Sequence, residues 1–259
     1  MAAVNIDARG LHYRELNRIL RESVLRGAKE ISLHNVAGQR YIGTNLGRPV
    51  KVKIYGTPGN DLGAFMDGPQ IEVYGNAQDG VGNTMNSGQV VVHGGGGDIV
   101  GMSMRGGKIF IKGDVGYRCA IHMKEYEDKK PVLVIGGTAH DFLGEYMAGG
   151  IVVLLGIDLE DGQPHPGRFI GTGMHGGAIF LRGRVEEFQL GKGVKLSEIT
   201  EEDEALLDNI VDDFCQHFDY DPGEILSSSP FIKLTPKSLR PFEELYSAPA
   251  RLHKGSGPA

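Results

Sequence analysis

Asn60, Asp79, Asp98 and Asp141 recur at matching points of successive turns and are the first residues here with the means for chemistry. Stacked carboxylates suit a hard cation, or acid–base work on a carbohydrate. Asn and Asp are also what turns select, because their side chains bond nearby backbone groups. The turn role is the one expected of this column. Cys119 and His122 stand three apart with Glu125 following, residue types that can make a nucleophile and its base. Cys119 lies beside a core-facing column, so packing is its expected use. His34, His140, His165 and His175 fall on loops or turns without His-x-x-x-His metal spacing. Gly94–Asp98 has the glycines of a phosphate loop but no lysine and no following helix. No Gly-x-Gly-x-x-Gly stands after a strand in a βαβ setting, so no dinucleotide domain is expected. No catalytic, cofactor-binding or metal-binding residue is expected in the chain itself.

The elements that carry these residues are set by a repeat. Gly56, Gly75, Gly94 and Gly113 are 19 residues apart each time. Inside the units a second mark repeats, as Gly63-x-x-Met66, Gly82-x-x-Met85 and Gly101-x-x-Met104. Each is followed by a glycine turn and a short alternating run. The pattern extends back to Gly43-x-x-Leu46 and forward through Ala120-x-x-Met123 and Gly144-x-x-Met147 to Gly171-x-x-Met174. A period near 20 residues with one strand per unit marks a solenoid. The reading is an all-β solenoid, a single-stranded parallel β-helix of about seven coils with flanking α-helices.

In register, one inward column reads Val52, Ile71, Val90, Ile109, Leu133, Val152 and Ile179, and a second reads Ile54, Val73, Val92, Ile111, Ile135, Leu154 and Leu181. Every member is branched aliphatic, as one buried strand face demands. The stacked methionines read as gap-filling core. The outward positions start charged, with Lys53 and Glu72, then become Val91, Phe110, Val134, Val153 and Phe180. A solvated face should be polar, so this stripe must be covered. Its five residues are the candidate partner interface, with the chain's own terminal helices as the alternative cover.

The divisions expected are residues 1–29 as an N-terminal capping helix (Leu11–Lys29), 30–185 as the β-helix, and 186–259 as an acidic helix and extended tail. Glu30–Leu33 reads as a first strand and Asn35–Gly38 as a turn. Thr200 and Asp203 mark a capping box, and apolar residues at helical spacing run to Phe218. The tail from Ser227 is expected to lie extended over the solenoid or a neighbour, and Arg251–Ala259 to be disordered. Forty glycines without a collagen triplet fit turns, and a net charge of −6 argues against a nucleic-acid partner. No apolar run is long enough to span a bilayer, and Met1–Gly10 lacks a signal-peptide core. Two cysteines far apart build no cluster or zinc site. A cytoplasmic protein that binds neither nucleic acid nor membrane is expected.

Ala37-Gly-Gln39, Gly59-Asn-Asp61 with Leu62-Gly63, and the repeated Gly-x-x-Met-x-x-Gly-x-x-[Ile/Val]-x-[Ile/Val] resemble the GXGXG domain. That domain is the C-terminal β-helix of the glutamate synthase large subunit. Gly113–Met123, Gly136-Gly and Phe142–Ile151 look like the same domain as a separate chain, as in archaeal-type glutamate synthase and N-methylglutamate synthase. The resemblance implies a right-handed coil and a non-catalytic scaffold role. It implies that FMN and an iron–sulfur cluster belong to one partner subunit, and glutamine hydrolysis to a glutaminase-type amidotransferase partner. The coil is also similar to the β-helical subunit of formylmethanofuran dehydrogenase, a second redox complex; the helical ends and the Gly-Asn-Asp element favour glutamate synthase. An independent carbohydrate-active β-helix using the turn carboxylates is the third reading.

Overall fold

Alternating branched residues bury one face of a strand, and a constant step between them lets each strand lie beside its predecessor. The computed structural model, which describes residues 3–238, has this arrangement. In chain order it forms β1 (Val4–Asp7), α1 (Tyr13–Leu25), β2 (Glu30–Ala37), β3 (Lys51–Thr57), β4 (Asp67–Tyr74) and β5 (Ser87–Val92). There follow β6 (Lys108–Ile111), β7 (Val132–Ile135), β8 (Ala148–Leu154), β9 (Gly176–Arg182) and β10 (Val194–Ser197). The chain continues with α2 (Glu201–Phe218), α3 (Pro222–Ser228) and β11 (Phe231–Pro236). The strands make one sheet, ordered β1 to β9, then β11, then β10.

From β1 to β9 every pair is parallel. Val52, Ile71, Val90, Ile109, Leu133, Val152 and Ile179 are direct partners across β3–β9. These seven strands bound six turns of a parallel β-solenoid, the expected fold class. Both inward columns are buried, and so are the repeat methionines Met66, Met85, Met104, Met123, Met147 and Met174. Insertions such as Lys124–Lys130 leave the register intact because they lie between strands.

The turns owe their shape to an alternation of backbone hand. Around each Gly-x-x-Met mark, the glycine and the residues two before and two after it have positive φ: Phe142 (68°), Gly144 (70°) and Tyr146 (52°) are one such set. Left-handed backbone costs an ordinary residue roughly 1–2 kcal/mol, so each must be held. The next coil does the holding: Phe142 N donates to Arg168 O and Tyr146 N to Thr172 O, both at 2.8 Å. The outer two point away from the core and accept large side chains. The middle one faces inward, where a Cβ at Gly144 would stand 2.5 Å from Ile179 Cδ1. Ala120 takes this place in one coil, at φ 59°.

The ends differ from expectation. A strand, β1, precedes the helix and pairs with β2, so the sheet begins before the repeat does. The sequence hides it because Val4 and Ile6 alone are too short a pattern. α1 is shorter than Leu11–Lys29 and lays Leu16, Leu20 and Val24 on the same core. The expected turn at Asn35–Gly38 is instead a bulge: Asn35 turns left-handed at φ 56°, and β2 resumes pairing at Val36. At the other end β11 runs antiparallel to β9 and pairs in turn with β10. The stretch after Ser227 is therefore extended, but as a strand that closes the sheet edge, with Leu234 fully buried. Phe242, Tyr246 and Arg251–Ala259 lie outside the described residues.

Gly144→Val should lower stability by about 3 kcal/mol, combining left-handed strain with overpacking. Gly162, whose Cβ would meet nothing within 4 Å, should lose only about 1 kcal/mol as alanine. Thermal melts of the two variants measure the difference; equal losses would contradict the inward placement.

Candidate partner-binding surface

The apolar stripe expected to face a partner is covered by the chain's own α2. Val91, Phe110, Val134, Val153 and Phe180 form a second core with Leu207, Ile210, Val211, Phe214 and Phe218. None of the five is more than 4% exposed. The i, i+3/i+4 spacing of the helix residues makes one face, and the strand residues supply a flat apolar bed for it. The helix starts where the sequence predicts: Thr200 Oγ1 accepts from Asp203 N at 3.3 Å, and Asp203 Oδ2 accepts from Thr200 N at 2.9 Å. Burial raises the Asp203 carboxyl, but Lys233 and the Thr200 N–H outweigh it and hold the group below its ordinary value. Phe214 fits because Gly136 follows strand β7, where a Cβ would approach Phe214 Cζ to 2.7 Å. Lys108 pairs with Asp213, and Gln89 Nε2 meets His217 Nε2 at 2.7 Å, so polar contacts frame the apolar seat. Of the two covers the sequence left open for this stripe, the structure has the intramolecular one, and a partner reaches these residues only if α2 leaves.

The candidate chemical groups are spent on the fold. Asp79 Oδ1 accepts from Asp98 N at 3.0 Å, Asp98 Oδ1 from Tyr117 N at 2.8 Å, and Asp141 Oδ1 from Arg168 N at 2.9 Å. Each carboxylate thus ties its turn to the next coil, a turn role across coils rather than within one. Asn60 is exposed, and its backbone carbonyl accepts from Tyr41 N at 2.9 Å. The Gly94–Asp98 run is a turn held by Asn76 Oδ1, which accepts from Gly95 N at 2.9 Å.

Cys119 and His122 are not brought together. The thiol is fully buried, 3.6 Å from Gly116 O, and burial pushes its pKa up to about 12. His122 sits outside, stacked on Tyr146 with ring centres 5.5 Å apart. Glu125 Oε1 accepts from Gly150 N at 3.1 Å. His34 stacks on Tyr55 and His140 on Tyr117, at 4.9 and 4.8 Å. His165 is buried, its Nε2 2.9 Å from Arg182 O, and desolvation lowers its pKa. Among the described residues, no group of His, Cys, Asp and Glu side chains converges as metal ligands, and no helix is long and apolar enough to cross a membrane.

One aromatic surface left open is a ridge that sequence reading missed. Its residues occupy the outward left-handed turn positions and their neighbours: Tyr117, Arg118, Phe142, Arg168 and Phe169. Phe142 and Phe169 stack at 5.0 Å, and the Arg118 guanidinium lies 4.8 Å from the Phe142 ring centre. Tyr117 is 48% and Phe169 44% exposed. Arg118 also holds the buried Glu145 at 2.8 Å. Tyr, Phe and Arg displayed together on a rigid frame are the residue types that anchor protein interfaces. The signal was present as aromatic residues two positions before the repeat glycine, a place normally read only as a turn.

A family model described as GXGXG motif matches residues 28–237. The chain is also 52% identical over 256 residues to an uncharacterized protein of Methanocaldococcus jannaschii, a match spanning 95% of this chain and 97% of that one.

Two outcomes test the assignment of these groups. Phe214→Ala should cost about 3–5 kcal/mol in a denaturant titration, as for a buried phenylalanine; a loss below ~1 kcal/mol would mean α2 is not seated. Cys119 should resist alkylation at neutral pH in the native protein and react on unfolding. Fast native labelling would contradict its burial.

Proposed function

The chain belongs to the GXGXG motif family, and from that premise we propose that it is a structural subunit of a glutamate synthase-type oxidoreductase complex. In this reading it braces an FMN and iron–sulfur subunit against a glutaminase-type amidotransferase, in the cytoplasm, and carries neither cofactor itself. The observation that carries the proposal is the division of labour within the chain. The turn carboxylates Asp79, Asp98 and Asp141 and the Cys119 thiol are engaged internally, while a rigid Tyr–Arg–Phe ridge is presented outward. A solenoid suits bracing because its turns form one continuous stack that resists bending.

With α2 occupying the strand stripe, contact with the synthase subunit passes to the ridge around Phe142 and Phe169. Phe side chains there, stiffened by stacking and by Arg118, lose little entropy on docking. The carbohydrate reading has lost its support, since the carboxylates it needs are bonded to backbone N–H groups.

Native mass spectrometry with an absorbance spectrum, on protein purified from its own host, tests the proposal. A hetero-assembly with flavin bands is expected, and partner masses distinguish it from a formylmethanofuran dehydrogenase-type complex. A colourless monomer or homo-oligomer would overturn it. Phe169→Ala should weaken the assembly at least tenfold without lowering the melting temperature appreciably, since Phe169 is exposed.

A further inference from the structure

Beside the aromatic ridge, on the other flank of the same turns, lies a cleft of about 350 Å3 lined by Ser103, Arg105, His122, Lys124, Tyr146, Ala148 and His175. These residues are not scattered. Ser103, His122 and Tyr146 hold the left-handed position two after the repeat glycine in three consecutive coils, with Ala120 in the glycine's place in the second. Arg105, Lys124, Ala148 and His175 hold the position four after it in four consecutive coils. Stacking therefore places two cations and the His175 imidazole along one line, with His122 in the column beside it, on a chain whose net charge is −6.

Ala148 is what makes the line a cleft. Coils stack at about 4.8 Å, so a short side chain between Lys124 and His175 opens a slot about 10 Å between flanking layers. The lining includes no carboxylate. The acids nearest in sequence are committed elsewhere: Glu125 accepts from Gly150 N at 3.1 Å, and Glu145 pairs with Arg118 at 2.8 Å. Arg105 Nε is buried without a hydrogen-bond partner. That N–H has no accessible surface as placed, so it takes an acceptor only if the Arg105 side chain shifts as one arrives.

We propose that this cleft binds the phosphate group of a small phosphomonoester. The class follows from donor number and placement. Arg, Lys, Ser, Tyr and two His side chains supply more donors, from more layers of the solenoid, than a planar carboxylate can use. A phosphate dianion has three acceptor oxygens in a tetrahedral array and is bound by Arg and Lys together. The stacked pair His122–Tyr146, 10° from parallel, forms one wall. The site does not depend on the scaffold proposal, because its residues are not those of the Phe142–Phe169 ridge.

The test is calorimetric titration of the full chain with inorganic phosphate at fixed ionic strength, with succinate as the second probe. Saturable binding of one phosphate per chain is expected. Arg105→Gln, Lys124→Gln and the slot-filling Ala148→Leu should each weaken it at least tenfold, while Lys29→Gln on the far end should leave it unchanged. Circular dichroism identifies any variant that fails to fold, and the remaining ones decide. No saturable binding, equal weakening by Lys29→Gln, indifference to Ala148→Leu, or succinate binding as tightly as phosphate would each overturn the proposal.

Discussion

Each turn of this solenoid is joined to the next by backbone hydrogen bonds that repeat at the same positions, strand on strand and turn on turn. That single register constrains everything else. It requires branched side chains at two inward columns, because one misplaced polar residue would sit in a continuous core. It also stabilises left-handed backbone at Arg118, Phe142 and Tyr146, since the donors freed by that conformation meet carbonyls one coil away. The side-chain carboxylates follow the same rule, with Asp79, Asp98 and Asp141 reaching N–H groups of the following coil. Strain that would be prohibitive in an isolated turn is held by neighbours on both sides.

The consequences for function run from there. The stack spends Asp79, Asp98, Asp141 and the buried Cys119 thiol on cohesion. What it offers instead is a long rigid surface on which side chains recur at constant spacing. One strip of that surface is apolar and closed by α2; another presents Phe142, Phe169 and Arg118; a third gathers Arg105, Lys124 and His175. These strips follow from which residues occupy equivalent places in successive coils, so binding properties are written column by column rather than motif by motif.

The repeat and the inward columns were legible because period and side-chain type agree over seven units. α2 was legible too, since Thr200–Asp203 caps a helix with one apolar face. The cover of the Val91–Phe180 stripe was not, because hydrophobic patterning says that a face is buried but not by what. β1, β10 and β11 were missed for a related reason: Val4–Asp7 and Val194–Ser197 are four residues long, and their strand character comes from the sheet edge they complete. The aromatic ridge and the basic cleft emerged only when coils were stacked. Arg105 and Lys124 share the 19-residue step, but the insertions between Lys124 and His175 hide the rest of that column from linear spacing.

The strand stripe, then, is closed within the chain, while the turn ridge stays open. Hydrogen exchange by mass spectrometry, on the chain alone and in its native assembly, addresses both halves at once. Peptides covering Val91, Phe110 and Val134, and those of α2, should already be protected in the isolated chain. Peptides around Tyr117, Phe142 and Phe169 should gain protection only in the assembly. Rapid exchange of α2 in isolation, with the stripe protected only when partners are present, would contradict this division of the surface.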